Sequence, residues 1–438
     1  MKEHSGIKMK DKIGYALGDT AGILTFGIIG SYLQIYYTNV LFISPAKIMV
    51  LFLVARIWDA VNDPIWGVIV DSRKVGKNGK FRPYLKYVSP LLAFSCILVF
   101  FKIPNLTETQ YLIYAYATYI IYGMCYTAIN IPYSSLASVI TSDEYERSSL
   151  SMFRSIGAGV GTLASQIILP LFVYTTVKGT KVLDGDKLII GVVVLSVLSI
   201  LIFQWCYKWT IERIATPEGQ STADIKKTIS TLLHNKPFIV LSIASMLLLT
   251  LQQYTQSIYN YLFLNYFEKP GLYSLVSIFT YLPMLILIPF IQKIVRKTGK
   301  KQICAVGMVV AFIANLILFF THTTNPTIFF IFSFLSGFGM TFFVFEIWAL
   351  ATDTVDYQEQ LSGQRDEGTA YAFFTFARKV GQALAGVLGT GVLGIIAYDA
   401  SNITHAATEQ LYTFSTLVPA IICLAIAVLL GVLYPLKN

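Results

Sequence analysis

Charge is what this sequence has least of. Asp, Glu, Lys and Arg make up 13% of its 438 residues, about half the share of an ordinary soluble domain, while the hydrophobic set reaches 55%. That balance excludes a water-soluble globule. Histidine occurs four times, at His4, His234, His322 and His405, never close together, which argues against zinc and most histidine-based catalysis. The five cysteines, Cys96, Cys125, Cys206, Cys304 and Cys423, stand singly and mostly inside apolar stretches. Neither a disulfide framework nor a CxxC metal or redox site is indicated, so they read as packing residues. The first dozen residues are basic and polar, without a short apolar core and a small-residue cleavage site; no removable signal peptide is expected. A net charge of +9 would suit a nucleic-acid partner, yet no basic helix carries it, and none is expected.

Long apolar segments are present instead, along the whole chain. They fall near residues 13–37, 45–71, 84–103, 110–140, 149–176, 187–208, 237–264, 272–292, 301–321, 326–355, 367–398 and 409–435. Each is about the 20 residues a helix needs to cross a ~30 Å hydrocarbon core, and none shows the ten-residue alternation of a membrane barrel strand. Of the 33 basic residues only Lys47, Lys102, Lys178, Lys181, Lys187 and Lys269 lie in loops on one side. The positive-inside rule therefore puts both termini in the cytoplasm and the chain in the inner (cytoplasmic) membrane.

The longest polar connection, residues 209–236, separates an N-terminal bundle (1–208) from a C-terminal one (237–438) and contains Lys226 and Lys227 in a helix-compatible stretch. Two weak repeats agree with that division. DSRKVGKNGK after span two returns as KIVRKTGKK after span eight, pairing Gly76 with Gly299, and Phe153–Gly157 (FRSIG) returns as Ala377–Gly381 (ARKVG), each about half the chain later. The expected fold class is an all-α membrane protein of twelve transmembrane helices in two pseudo-symmetric six-helix bundles. A binding site between such halves near the midplane is the major-facilitator arrangement.

An ionisable side chain inside a span needs a partner, a wet cavity or a function, and the inventory is short: Asp19, Arg56, Asp59, Asp63, Arg154, Glu346, Arg378 and Lys379. Asp59 and Asp63 stand one turn apart on one face of span two. Two such acids repel when both are ionised, so the pair favours a bound proton or alkali cation; the alternative is that Arg56, three residues before Asp59, neutralises it structurally. Asn62 flanks the acids, and Pro64 leaves the Ala60 carbonyl without its helical donor, another oxygen ligand. On span four Thr127 and Asn130 offer a hydroxyl and an amide oxygen from one face, or an interhelical hydrogen bond.

Arg154 and Lys379 occupy near-equivalent places in spans five and eleven and present positive charge toward Asp59, Asp63 and Asp19; a static salt-bridge network is the alternative. Two aspartates and one lysine leave one negative charge, which a single Na⁺ or H⁺ cancels. Asp19 on span one and Gln252, Gln256 and Asn260 on span seven suit a polyhydroxylated ligand, although helix–helix bonding explains the span-seven amides equally well.

RIWDAVNDPIWG (Arg56–Gly67), GKFRPYL (Gly79–Leu85), NIPYSSL (Asn130–Leu136) and DTVDYQEQLSGQRDEG (Asp353–Gly368) together resemble the glycoside–pentoside–hexuronide:cation symporter family, relatives of melibiose permease, over essentially the whole chain. The resemblance implies a sugar:cation symporter working by alternating access. It implies cation binding by Asp59, Asp63 and Thr127, with Asn62 and Asn130 beside them. Asp19 and Arg154 match sugar contacts, and Lys379 matches a span-eleven lysine near the cation site; Thr375, Gln252 and Gln256 complete the substrate candidates. Asn130 replaces an aspartate of melibiose permease, which leaves Na⁺ against H⁺ open, and Ser134 replaces its stacking tryptophan, so the resemblance does not imply an α-galactoside. The basic loop Arg73–Lys86 and its counterpart Lys293–Lys301 resemble the cytoplasmic gating loop of major facilitators. Asp353, Asp356 and Arg365 are candidate partners, and Arg56, Asp71 and Arg73 complete the coupling and gating set.

The expected activity is import of a pentoside, glucuronide or oligosaccharide with Na⁺ or H⁺, with no cofactor and no metal beyond a transported Na⁺. The protein is expected to be a monomer among membrane lipids and not an enzyme. The rivals are a proton-driven exporter of amphipaths or lipids, whose cavity would be more apolar, and a sugar sensor that binds without counterflow. An intramembrane enzyme lacks a nucleophile, metal or acid–base set.

Overall fold

The computed structural model describes residues 7–72, 75–76, 78–141, 144–177, 180–214, 232, 234–362, 367–400 and 402–436. Arg73, Arg365, Lys226 and Lys227 lie outside the described residues, as does the side chain of Asp71. The chain forms two compact units, Met1–Gly219 and Gln220–Asn438.

In the first unit, α1 spans Met9–Asn39, α2 Pro45–Ser72, α3 Arg82–Tyr87, α4 Ser89–Val99, α5 Glu108–Ile140, α6 Glu144–Ile168 and α7 Gly185–Trp209. The helix starts carry ordinary capping chemistry. Thr107 and Gln110 form a reciprocal capping box on α5, and the Asp184 carboxylate accepts from the Asp186 and Lys187 amides at the start of α7. Span three, expected as one helix over 84–103, is two pieces hinged at Val88. Pro90 has no N–H for the Lys86 carbonyl, which accepts from Gln204 Nε2 (3.1 Å) instead. Span five, expected as helix to 176, stops at Ile168 before Pro170. The chain then forms an antiparallel hairpin, β1 Tyr174–Val177 on β2 Thr180–Leu183, with Tyr174 opposite Leu183. β-branched Thr175, Thr176, Val177, Thr180 and Val182 favour strand over helix there.

In the second unit, α8 spans Lys236–Tyr261 and ends in a π turn, Leu262–Tyr266; α9 spans Tyr273–Leu287, α10 Ile291–Thr298, α11 Lys300–Thr321, α12 Pro326–Ser362 and α13 Glu367–Ile395. α14, His405–Val428, ends in a second π turn, Leu429–Leu433. Buried Asn235 caps α8 by accepting from the Phe238 amide (3.0 Å) and donates to the Thr354 carbonyl and Gln358 Oε1 of α12, both at 3.0 Å. Span eight, expected over 272–292, is broken between α9 and α10. Eight described helical stretches are long and apolar enough to cross a membrane. The long helices α2, α6 and α13 lie outside that set and carry most of the intramembrane charges, including Arg56, Asp59, Asp63, Arg154, Arg378 and Lys379.

The two units repeat one packing device. On α6, a Cβ at Gly157 would clash with the Ala16 carbonyl of α1, and Thr20 Oγ1 donates to the Gly157 carbonyl (2.9 Å). On α13, a Cβ at Gly381 would clash with the Met246 carbonyl of α8, and Thr250 Oγ1 donates to the Gly381 carbonyl (3.0 Å). Small residues let membrane helices approach this closely. The device sets the internal register: Thr20 matches Thr250, Gly157 matches Gly381, and Arg154 therefore matches Arg378 rather than Lys379. In the loop repeat, Gly79 (φ +88°) shares the left-handed conformation of Gly299 (φ +85°), so Gly79 rather than Gly76 is its conformational counterpart.

Candidate functional site

Helices α2 and α5 meet along a stripe of constant register. Arg56 Nη2 donates to the Tyr119 hydroxyl (3.2 Å), Asp59 Oδ1 sits where a Cβ on Gly123 would come within 3.0 Å, and Thr127 Oγ1 donates to Asp63 Oδ1 (2.9 Å). Tyr119, Gly123 and Thr127 are four residues apart and so share one helix face. Glycine at the middle position gives the Asp59 carboxylate its room. Arg56 Nη1 pairs with Asp59 Oδ2 at 3.0 Å. Arg56 thus serves Asp59, and Asp63 accepts from the Thr127 hydroxyl.

Asn62 is 2% exposed and its Nδ2 has no hydrogen-bond partner among the described residues. An interior amide so placed is a standing acceptor-seeker. Asn130 is half-buried and makes no hydrogen bond among the described residues, so the structure does not join it to Asp63 as it joins Thr127.

A second face of α5 meets α1 and α6. Arg154 Nε pairs with Asp19 Oδ2 at 3.3 Å, and the guanidinium lies 5.2 Å from the centre of the Tyr133 ring. Tyr133 stacks on Tyr15 (4.9 Å) and donates its hydroxyl to the Tyr15 carbonyl (2.6 Å). Further along the same face Tyr126 stacks on Phe26 (5.2 Å) and Tyr122 (6.2 Å). Tyr15, Tyr122 and Tyr133 are buried, while Tyr126 and Phe26 are half-buried; charged donors and acceptors beside such rings match a ligand rich in hydroxyls and C–H surfaces. α5 is therefore a common wall: Tyr119, Gly123 and Thr127 face the acids of α2, while Tyr122, Tyr126 and Tyr133 face α1.

In the second unit, Thr375 is exposed and Lys379 half-buried on α13. Gln252 and Gln256 are half-buried on α8, whereas Asn260 is fully buried and belongs to the interior. Arg378 Nη1 donates to Ser245 Oγ (3.1 Å), and its guanidinium stacks on the Trp348 ring (5.4 Å). Among the gating candidates, Asp353 receives the Lys300 ammonium at 2.8 Å on both oxygens; Lys300 belongs to the second basic loop, the expected kind of partner. Asp356 is exposed.

Glu212, which the sequence analysis missed, holds the first basic loop. Its carboxylate accepts from the backbone amides of Lys80, Phe81 and Arg82, each at 2.8 Å, and it fills the space a Cβ on Gly79 would take. Arg82 Nη2 donates to the Tyr207 carbonyl (2.6 Å), as Lys301 Nζ does to the Tyr434 carbonyl (2.6 Å) in the second unit. The available signal was a glycine before a proline-started helix, which leaves free amides for an anion. No group of three or more His, Cys, Asp or Glu able to hold a metal occurs among the described residues.

A helical membrane fold that keeps charged pairs and ring platforms inside its spans is that of a multi-pass transporter. Residues 14–438 match the family model described as MFS/sugar transport protein, and the chain belongs to that family, the one its four motifs resemble. It is 34% identical to the uncharacterized symporter YjmB of Bacillus subtilis (strain 168), over 99% of this chain and 93% of that one. It is 29% identical to the glucuronide carrier protein homolog of Escherichia coli (strain K12), over 97% and 92%. Among solved structures, a D-xylose-proton symporter superposes with a TM-score of 0.67 at 14% identity, covering 96% of this chain and 98% of that one. That likeness shows the major-facilitator fold.

Proposed function

We propose that the protein imports a glycoside across the cytoplasmic membrane, driven by downhill entry of Na⁺ or H⁺ through alternating access. The observation that carries this reading is the two-faced α5, which holds Thr127 on Asp63 and, on its other face, Tyr133 under the Asp19–Arg154 pair. The coupling ion binds at Asp59 and Asp63, whose carboxylates stand one turn apart on α2. The sugar sits against Asp19, Arg154 and the half-buried Tyr126 ring. Cation arrival and sugar arrival move the same helix, so each raises the affinity for the other by the same factor. No bond is made or broken, and the ion is cargo rather than cofactor.

Both termini face the cytoplasm and the working unit is a monomer in lipid. The relatives support the sugar reading: one is named for glucuronide, and one solved neighbour for D-xylose and protons. Uptake of xylosides, glucuronides and galactosides into vesicles, with Na⁺ and pH gradients imposed separately, tests it. Accumulation of at least one sugar against its gradient under one ion gradient is expected; sugar binding without counterflow would mark a sensor.

A further inference from the structure

The exposed face of α7 changes chemistry along its length. Val194, Leu198, Leu201, Trp205 and Lys208 follow one another at steps of four and three residues, one stripe of the helix, and all five are exposed. Three aliphatic residues, then an indole, then an ammonium are the order of a hydrocarbon core, its interface and the headgroup layer. Beside that end of α7 stand Arg82 and Lys86 of α3. The Arg82 guanidinium lies 4.7 Å and the Lys86 ammonium 5.5 Å from the centre of the same Tyr207 ring. Lys86 also lies 5.4 Å from the ring of Tyr87, itself 63% exposed. Gln204, one turn before Lys208, donates to the Lys86 carbonyl (3.1 Å) and so holds α3 against this part of α7.

None of Arg82, Lys86 and Lys208 has a carboxylate within ion-pair distance among the described residues. Glu212, four residues past Lys208, spends both oxygens on the amides of Lys80, Phe81 and Arg82. By contrast Lys12, at the start of α1, and Arg213, just past α7, each have an acid at 2.8 Å, Glu146 and Asp11. A ring steadies a cation without neutralising it, so three positive charges are kept at headgroup level. Arg82 gives Nε and Nη2 to the Tyr207 carbonyl, and its Nη1 is not engaged among the described residues. Lys10 Nζ lies 5.9 Å from the Trp209 ring, which puts this end of α7 beside the start of α1. In the reading above that is the cytoplasmic side, where the leaflet surface is anionic.

We propose that the corner between α3 and the end of α7 is a binding site for an anionic phospholipid. Arg82, Lys86 and Lys208 receive its phosphodiester, Trp205 and Tyr87 stand at its glycerol backbone, and Val194, Leu198 and Leu201 carry its acyl chains. A lipid rather than a soluble phosphate is the occupant because the cations continue directly into that apolar stripe. Nothing in the site depends on which sugar or ion is carried.

The test is native mass spectrometry of the delipidated full-length chain in detergent, titrated with phosphatidylglycerol and with neutral phosphatidylcholine of matched acyl chains. The wild type holds the first phosphatidylglycerol about tenfold or more tighter than the first phosphatidylcholine, the range expected of one charged hydrogen-bonded contact. Arg82→Gln with Lys86→Gln brings the two lipids within about twofold by weakening phosphatidylglycerol alone. Lys86→Gln with Lys208→Gln, which leaves the Arg82 bonds to α7 intact, cuts the preference about threefold or more. Lys293→Gln with Lys297→Gln removes two exposed charges of α10 and leaves the preference unchanged, which separates a site from general attraction to basic loops. Glycerophosphoglycerol, the same headgroup without chains, fails to displace the lipid at equal concentration. Equal retention of the two lipids by the wild type overturns the proposal. So does an undiminished preference in both site variants, an equal loss in the α10 variant, or displacement by the chain-free headgroup.

Discussion

Replacing Gly157 by alanine places a methyl group against the Ala16 carbonyl at the point where α1 and α6 come closest. Both atoms belong to helix backbones, so relief requires the helices to separate, and separation lengthens the 2.9 Å bond from Thr20 to the Gly157 carbonyl. Overpacking of this kind costs about 1–3 kcal/mol and the hydrogen bond about 1 kcal/mol. Together these shift the unfolding equilibrium roughly 30- to 1,000-fold. Gly159, two residues along the same helix, has nothing within 4 Å of its would-be Cβ, and alanine there is neutral or slightly stabilising. The crossing also carries Asp19 and Arg154, one turn from the contact, so Gly157→Ala weakens sugar binding as well as stability. Unfolding of the purified variants in mixed detergent micelles, with sugar titration alongside, reads both effects. Equal stabilities for Gly157→Ala and Gly159→Ala would refute the close-approach argument.

Thr127→Val removes the 2.9 Å bond to Asp63 without changing charge; the ion concentration that half-maximally promotes sugar binding should rise about five- to tenfold, with ion-free sugar affinity unchanged. Glu212→Ala leaves the Lys80, Phe81 and Arg82 amides without their carboxylate. The loss is about 1–3 kcal/mol in thermal unfolding, and Glu212→Gln, which keeps one acceptor oxygen, should lose less. The partly exposed Lys300–Asp353 pair should show a coupling of about 0.5–1 kcal/mol in a double-mutant cycle, read by the same melts.

The residues legible in the sequence were those whose chemistry conflicts with a membrane. Asp59 and Asp63 at one-turn spacing, and Asp19 and Arg154 in apolar surroundings, needed no partner to be conspicuous, and the structure shows Asp19 paired with Arg154 and Asp63 bonded to Thr127. Span lengths were legible for the same reason. What hydrophobic length hid was shape within it: the break at Val88 and the interruption between α9 and α10 lie inside apolar spans, and the Tyr174–Leu183 hairpin begins at the end of one. The match of Arg154 with Arg378 was present in the FRSIG and ARKVG repeat, but lysine at 379 drew attention one position too far; the glycine contacts fix the register, and they are tertiary. For Glu212 the sequence marked the free amides, through Gly79 ahead of the proline-started helix Arg82–Tyr87, but not the acid that meets them from 130 residues away. Arg73 and Arg365 lie outside the described residues.

The central claim is that a visiting cation at Asp59 and Asp63 drives sugar uptake. In right-side-out vesicles, Asp59→Asn and Asp63→Asn should each abolish accumulation of sugar under an imposed Na⁺ or pH gradient while sugar counterflow without a gradient persists. Uphill accumulation at the wild-type level in both variants would contradict it.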